Sequence, residues 1–310
     1  MIYADPEVAK AVGEDPQSAP IPELHKAMFR WTELFVKHSW DASPDDLAEL
    51  KALGATDRDV ADWLQIACTQ VWFTSSADAG GIPMEGNAVT GPVMQHPREH
   101  YHQHVAASAA ETTPTGAAGS EPAGWLDAPG TGAAFDAATK IARTRYGFVP
   151  NLFTAVSACP DYYPRHQLAL DLLETPQSSS LGAAEHALVR AATVALDRCP
   201  YFEPTARALL SRQGDRLPDY EALGSDPAAA ARNEREACVL ALTEKLVRTP
   251  YKIAEKDAQG FRDVGLDDAA YIDVFNTVAI QTSLDKLANC VGVSADDKPL
   301  LQSSRSAAAS

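Results

Sequence analysis

The chain repeats a sequence pattern after 211 residues, without a gap, over about 24–82 and 235–293. Helix-ending glycines and polar residues recur at this offset. The matched positions are Thr32-Glu33 with Thr243-Glu244, Val36 with Val247, Asp46 with Asp257, Gly54 with Gly265, Asp57 with Asp268, Asp62 with Asp273, Gln70 with Gln281, Ala77 with Ala288, and Gly81 with Gly292. An ungapped register of this length predicts a duplicated helical unit, and each copy is expected to bury its apolar face against other helices.

Apolar residues in the first copy recur at the spacing of helices. The first predicted helix has its apolar positions at Leu24, Met28, Trp31 and Phe35. Ser43 and Pro44 suit the start of a second helix, and Gly54 suits its end. A third helix is predicted from near Thr56 to Gly81. Because no alternating strand pattern interrupts these helices, the expected fold class is all-α.

Composition restricts the kinds of partner that the chain can have. The formal net charge of −16 repels the phosphates of nucleic acids and anionic membrane surfaces. The sequence has neither a signal-peptide pattern nor an apolar run long enough to span a membrane, and the expected location is cytoplasmic. Its five cysteines never form a CxxC pair, which argues against disulfides and against a cysteine zinc site.

Changes in composition divide the chain into four predicted regions. The stretch 107–130 is rich in Ala, Gly, Thr, Ser and Pro, which is typical of a flexible linker. Trp125 and Leu126 are expected to dock the far end of this linker. The predicted regions are a partial repeat with a histidine-rich segment over 1–106, the linker over 107–130, a complete domain over 131–295, and a disordered tail over 296–310.

The stretch Leu181–Leu210 has Cys199-Pro200 at its centre. Small and aliphatic residues follow helical spacing up to Leu196, and Pro200 then interrupts the helix, because proline has no amide hydrogen. Cys199 is therefore expected at a joint between two helices. A thiol near the start of the second helix could have a lowered pKa and act as a nucleophile. The alternative is that Cys199 is a small buried apolar residue.

Several separated motifs resemble the carboxymuconolactone decarboxylase and alkylhydroperoxidase D-like superfamily. The motifs are Tyr146-Gly-Phe-Val-Pro-Asn-Leu-Phe153, Leu181 to Cys199-Pro-Tyr201, Leu242-Thr-Glu-Lys-Leu246, and Leu284-Asp-Lys-Leu-Ala-Asn-Cys-Val-Gly292. The similarity covers about 131–293 well and about 24–82 as a degenerate copy. It implies an all-α helical bundle that forms a homo-oligomer and acts on a small-molecule substrate.

The sequence departs from the motif of the redox-active members of this superfamily. That motif is a glutamate, a CxxC pair twelve residues later, and a histidine four residues after the second cysteine. Here Cys199 matches the first cysteine, but the other three positions hold Ala187, Phe202 and Ala206. A dithiol peroxidase cycle needs the second sulfur to capture the oxidised first one. The resemblance therefore does not imply that activity.

Other residues near this motif could carry out acid/base chemistry. Glu185 and His186 lie two residues and one residue before the family's glutamate position, and Tyr201 lies two residues after Cys199. The predicted catalytic residues are Cys199, Glu185, His186 and Tyr201. The alternative for His186 is a solvated helix face. Asp285, Lys286 and Asn289 are assigned to capping or to an oligomer interface, and His166 receives a structural role.

A histidine-rich segment lies outside the family motif. His96, His100 and His104 share one face if the segment is helical, and His100, His102 and His104 share one if it is extended. Imidazoles at such spacing suit Zn, Fe, Cu or Ni, so all four are candidate metal ligands. The alternative is an exposed histidine-rich loop without a metal.

The favoured function is a diverged enzyme, a lyase or an oxidoreductase, that uses acid/base or metal-assisted chemistry on a small organic molecule. Decarboxylation, isomerisation and oxidation are the reaction types considered. One alternative is an antioxidant that reduces hydroperoxides through the single Cys199. The other alternative is a helical scaffold without catalytic activity.

Overall fold

The computed structural model describes residues 5–81, 123–126, 133–157, 159, 162–174, 180–214 and 218–301. Within these ranges the chain forms fourteen α-helices and no strand, which confirms the predicted all-α class. The helices are α1 (Pro6–Glu14), α2 (Glu23–His38), α3 (Pro44–Ala52), α4 (Asp57–Ala79), α5 (Ala133–Tyr146), α6 (Asn151–Ala155), α7 (Tyr163–Glu174), α8 (Ala183–Leu196), α9 (Glu203–Ser211), α10 (Tyr220–Ser225), α11 (Pro227–Ala230), α12 (Glu234–Arg248), α13 (Glu255–Asp263) and α14 (Asp268–Cys290). Two 3-10 turns lie at Ser39–Asp41 and Pro250–Lys252.

Helix boundaries follow the 211-residue offset of the sequence pattern. Helices α2, α3 and α4 form the first set, and α12, α13 and α14 form the second set. Each helix of the second set begins 211 residues after its counterpart in the first, and the second 3-10 turn begins 211 residues after the first turn. Gly54 and Gly265 end the second helix of each set with φ of 101° and 77°, which favours glycine. The two sets therefore share stop signals as well as residues, and their helix lengths agree to within one residue.

The long helices α4 and α14 pack against each other in opposite directions at the centre of the fold. At one end, Tyr271 Oη donates a hydrogen bond to the Ala79 carbonyl at 3.2 Å. Further along, the Cys68 thiol donates to the Ser283 carbonyl at 3.3 Å. Every residue of α14 from 277 to 290 is buried. A helix that is buried on all sides forms the core of a bundle.

The contacts of the 3-10 turns are reciprocal. The turn Ser39–Asp41 packs against α14, and the turn Pro250–Lys252 packs against α4. Each turn thus contacts the long helix that belongs to the other set. Because of these reciprocal contacts, the two sets of helices pack together as one unit.

The C-terminal end of the predicted linker and the first residues of the predicted tail pack against the helical bundle. The Trp125 amide donates to the Val291 carbonyl at 2.8 Å, and Leu126 is buried, so the predicted docking of this end is confirmed. The Leu300 amide donates to Thr205 Oγ1 at 2.8 Å. The prediction of a disordered tail from residue 296 is therefore wrong for 296–301. Apolar Leu300 and hydrogen bonds hold this segment on the bundle.

None of the helices in the described ranges combines the length and the apolar character that a membrane crossing requires.

Candidate functional site

Cys199 lies at the joint between α8 and α9, as its sequence position predicts. Arg198 has a left-handed φ of 49°, which turns the chain sharply after α8. The Cys199 side chain is 1% exposed. Burial, and then the nearby Asp285 carboxyl, raise the pKa of Cys199 well above its ordinary value. This direction is opposite to the lowering expected from a helix start, because burial disfavours the charged thiolate.

Glu185 is held in an ion pair at the start of α8. It contacts Arg235 through two nitrogens, and it accepts a hydrogen bond from the Gly182 amide at 2.8 Å. Partial burial acts to raise its pKa, but these contacts outweigh burial and lower the pKa. Between Glu185 and Leu196 the helix rises by roughly 16 Å. Glu185 thus caps the N-terminal end of α8 and forms an ion pair with Arg235 there, far from Cys199.

His186 is buried rather than solvated. Its Nε2 lies 3.3 Å from Thr277 Oγ1, and its side chain is 5% exposed. Burial lowers the pKa of His186 to about 4, so the ring is neutral at pH 7. Like Glu185, it lies on the first turn of α8. The structure does not bring this pair to Cys199.

Tyr201 lies beside Cys199 and faces the C-terminal segment. Its hydroxyl donates a hydrogen bond to Asp296 Oδ2 at 2.8 Å. Burial, and then Asp296, raise the pKa of Tyr201 well above its ordinary value. Burial raises the pKa of Asp296 to about 6. Tyr201 therefore anchors this segment next to the thiol.

The three remaining family-motif positions, Ala187, Phe202 and Ala206, are all buried apolar residues. The carboxyl group beside Cys199 comes instead from Asp285 on α14. Its neighbours complete a buried polar group, which we call the Cys199 cluster. Its members are Asp197, Cys199, Gln281, Asp285 and Lys286.

Hydrogen bonds and one ion pair connect most of the Cys199 cluster. Gln281 Nε2 donates to Asp285 Oδ1 at 2.9 Å. Lys286 Nζ lies 3.9 Å from Asp197 Oδ1. Four buried oxygens lack a hydrogen-bond partner in the described part of the chain: Asp197 Oδ1 and Oδ2, Gln281 Oε1 and Asp285 Oδ2. Unpaired buried polar atoms are rare, because each costs about 1–3 kcal/mol.

The cluster contains two carboxyl groups but only one lysine. Burial, and then the adjacent Asp197 carboxylate, raise the pKa of Asp285 well above its ordinary value. Burial also raises the pKa of Asp197, while Lys286 acts to lower it. Because Lys286 lies beside Asp197, the geometry favours an ionised Asp197 and a neutral Asp285. The cluster thus places a carboxylate next to a carboxylic acid.

The first set of helices closes the cluster from one side. Lys286 Nζ donates to the Val36 carbonyl at 2.8 Å. Asn289 Nδ2 donates to Ser39 Oγ at 3.2 Å and to the Asp197 carbonyl at 3.1 Å. Asp285, Lys286 and Asn289 therefore lie in the core of the chain, and the assignment to a helix cap or an oligomer interface is wrong.

A sequence signal for these residues does exist. Gln281, Asp285 and Asn289 recur every four residues on a stretch of α14 that is buried on all sides. Such a polar stripe in a buried helix indicates a polar site in the core. Asp197 has no comparable signal, because its role depends on the turn that brings it to α14.

The candidate metal ligands His96, His100, His102 and His104 lie outside the described residues. Within the described ranges, no group of three or more His, Cys, Asp or Glu side chains could hold a metal ion.

No protein-family model and no curated protein matches this sequence.

Proposed function

We propose that the chain is a diverged enzyme of the carboxymuconolactone decarboxylase and alkylhydroperoxidase D-like superfamily. In this proposal the Cys199 cluster carries out acid/base chemistry on a small organic molecule. The observation that carries the proposal is the concentration around Cys199 of four buried oxygens that accept no hydrogen bond in the described part of the chain. A fold that keeps unpaired polar groups at one place accepts a cost in stability, and such places are typically functional.

The two carboxyl groups suit proton transfer in both directions. Ionised Asp197 can take a proton from carbon, and neutral Asp285 can donate a proton through Oδ2 to an oxygen that becomes negative. Lys286 compensates the negative charge of Asp197. Isomerisation uses both groups, because the base removes a proton from carbon and the acid returns one. Decarboxylation of an acid with a neighbouring carbonyl uses only the acid, which protonates the enolate that forms as CO2 leaves. Sequence-predicted Glu185 and His186 have no part in this mechanism.

The raised pKa of Cys199 argues against the single-cysteine peroxidase. Thiol peroxidases react through the thiolate, and burial beside Asp285 disfavours that form. In the acid/base mechanism Cys199 stays a neutral thiol next to the acid. No disulfide forms in the described part of the chain, which is consistent with the proposed cytoplasmic location.

The decisive experiment supplies small carboxylated lactones and β-keto acids to the full chain in D2O. Nuclear magnetic resonance then follows deuterium incorporation at carbon and loss of the carboxyl group. Asp285→Asn and Asp197→Asn are expected to lower the rate by about 10²–10⁴-fold. Asp263→Asn, an exposed aspartate on α13, is the matched control and should retain the rate.

Two outcomes contradict the proposal. One is a rate that is unchanged in Asp285→Asn. The other is turnover of hydroperoxides alone that is abolished by Cys199→Ala, because this result identifies the antioxidant instead. Inactivity towards every substrate, in a protein with a correct circular-dichroism spectrum, favours the scaffold.

A homo-oligomer also belongs to the proposal. Ile66 and Phe73 lie seven residues apart on α4, and each is 61% exposed. Residues at this spacing share one helix face, and exposed apolar faces commonly mark protein contacts. Light scattering is expected to show an assembly that Phe73→Glu weakens, whereas a monomeric wild type contradicts it.

A further inference from the structure

A separate cavity lies between α4, α7 and α14. Its empty volume, including the part open to solvent, is about 440 Å³. Trp72, Leu172 and Leu284 contribute apolar walls. The polar residues at the cavity are Gln65, Cys68, Arg165, His166 and Ser283. Neither Cys199 nor Asp285 is among the residues that line it.

Two buried side chains at this cavity have unused hydrogen-bonding groups. His166 is 3% exposed and Gln65 is 1% exposed. His166 Nε2 lies 2.9 Å from Gln65 Oε1, so this nitrogen carries the hydrogen and Nδ1 is left as an acceptor. Burial lowers the pKa of His166 to about 3, and the ring is neutral. His166 Nδ1 and Gln65 Nε2 have no partner among the described residues.

Arg165 adds a positive charge to the same cavity. Its Nη1 donates to the Gln65 carbonyl at 3.3 Å. In the described part of the chain no carboxylate pairs with Arg165, and no Asp or Glu lines the cavity. A guanidinium in an apolar pocket is suited to a planar carboxylate, because several of its N–H groups point in one plane.

We propose that this cavity binds a small carboxylic acid with an apolar ring or branched body that carries a hydroxyl group. The carboxylate contacts Arg165 and Gln65 Nε2, and the body packs against Trp72 and Leu284. The hydroxyl donates to His166 Nδ1. This site is independent of the chemistry proposed for the Cys199 cluster.

The test measures binding of the three hydroxybenzoate isomers to the full chain by calorimetry. Benzoate lacks the hydroxyl, and 4-hydroxybenzyl alcohol lacks the carboxylate. At least one hydroxybenzoate is expected to bind more tightly than both of these. Arg165→Gln should weaken that binding about tenfold or more. The exposed Arg143 on α5 supplies the control Arg143→Gln, which should bind as the wild type does.

A second variant tests the hydroxyl contact. His166→Leu should reduce the preference for the hydroxylated acid over benzoate, even if it lowers affinity for both. Absence of binding by every acid to the wild type overturns the proposal. Equal affinity in the wild type and Arg165→Gln overturns it too, and so does binding that is lost only in Asp285→Asn, because the acid then occupies the Cys199 cluster.

Discussion

Asp285 and Cys199 occupy a part of the core where ionised groups are expensive. The effective penalty for moving an ion out of water is several kcal/mol. Asp197 offsets part of this penalty through Lys286, but Asp285 has no second lysine. Burial therefore keeps Asp285 and Cys199 in their neutral, proton-bearing forms.

The raised pKa of Asp285 predicts a specific dependence of stability on pH. In the range between the unfolded and folded pKa values, only the folded state binds the proton. The free energy of unfolding therefore falls as the pH rises from about 4, by about 1.4 kcal/mol per pH unit from this group. In Asp285→Asn this decrease should be absent, since the amide does not titrate and can still accept from Gln281. Urea unfolding at several pH values measures it, with Asp263→Asn as control. Parallel pH profiles of wild type and Asp285→Asn would contradict the raised pKa.

His186 predicts a dependence of the opposite sign. Its pKa of about 4 lies below the unfolded value near 6.5, so only the unfolded state binds the proton between them. Stability should fall by about 2 kcal/mol from this residue between pH 7 and pH 5. His186→Gln should lose less stability than the wild type over that interval, because the amide does not titrate. An unchanged slope in His186→Gln would show that His186 is not buried as a neutral ring.

Capping residues explain why the helices were predictable. Asp46 accepts from the Ser43 amide at 2.8 Å, and Thr56 Oγ1 accepts from the Asp59 amide at 3.2 Å. These local contacts depend on residues three apart, and the sequence reveals them. The cluster around Cys199 instead joins the end of α8 to α14. Cys199 could be identified from its motif, but its partner Asp285 could not, because tertiary packing brings them together.

Gly292 and Gly81 allow a controlled test of the packing after the long helices. Both have positive φ, 58° and 60°, and they are equivalent under the 211-residue offset. A Cβ on Gly292 would lie 1.9 Å from the Trp125 ring, whereas one on Gly81 meets nothing within 4 Å among the residues that the structure describes. Both alanine variants incur the backbone cost of about 1 kcal/mol. Gly292→Ala should destabilise the protein by a further 1–3 kcal/mol or so, because the core is overpacked.

The expected difference between Gly292→Ala and Gly81→Ala depends on the Trp125 ring, and a double variant tests this dependence. Trp125→Ala combined with Gly292→Ala should cost less than the sum of the two single changes in chemical denaturation. If Gly292→Ala and Gly81→Ala prove equally stable, the docking of Trp125 on the end of α14 is wrong.

At the scale of the whole molecule, the two sets of helices share one core. The largest cluster of buried apolar residues includes Phe35 and Leu64 from the first set and Leu284 from the second. The predicted separation into 1–106 and 131–295 follows the sequence but not this packing. Repeat copies are recognisable along the chain, yet their mutual contacts depend on the docking of α4 on α14.

A shared core predicts cooperative unfolding. Leu64→Ala on α4 and Leu284→Ala on α14 should each lower the free energy of unfolding by about 2–5 kcal/mol while a single transition is retained. Leu53→Ala, at a position that is 40% exposed, is the control and should cost far less. Two separate transitions, of which only one responds to each variant, would indicate independent halves.

The proposed chemistry depends on a protonated Asp285 carboxylic acid beside a neutral Cys199 thiol. Infrared spectroscopy of the native protein at pH 7 tests it most directly, because a protonated carboxyl and a carboxylate absorb at different frequencies. We expect a carboxylic-acid band in the wild type and in Asp263→Asn that is much weaker in Asp285→Asn. Identical spectra for wild type and Asp285→Asn would contradict it.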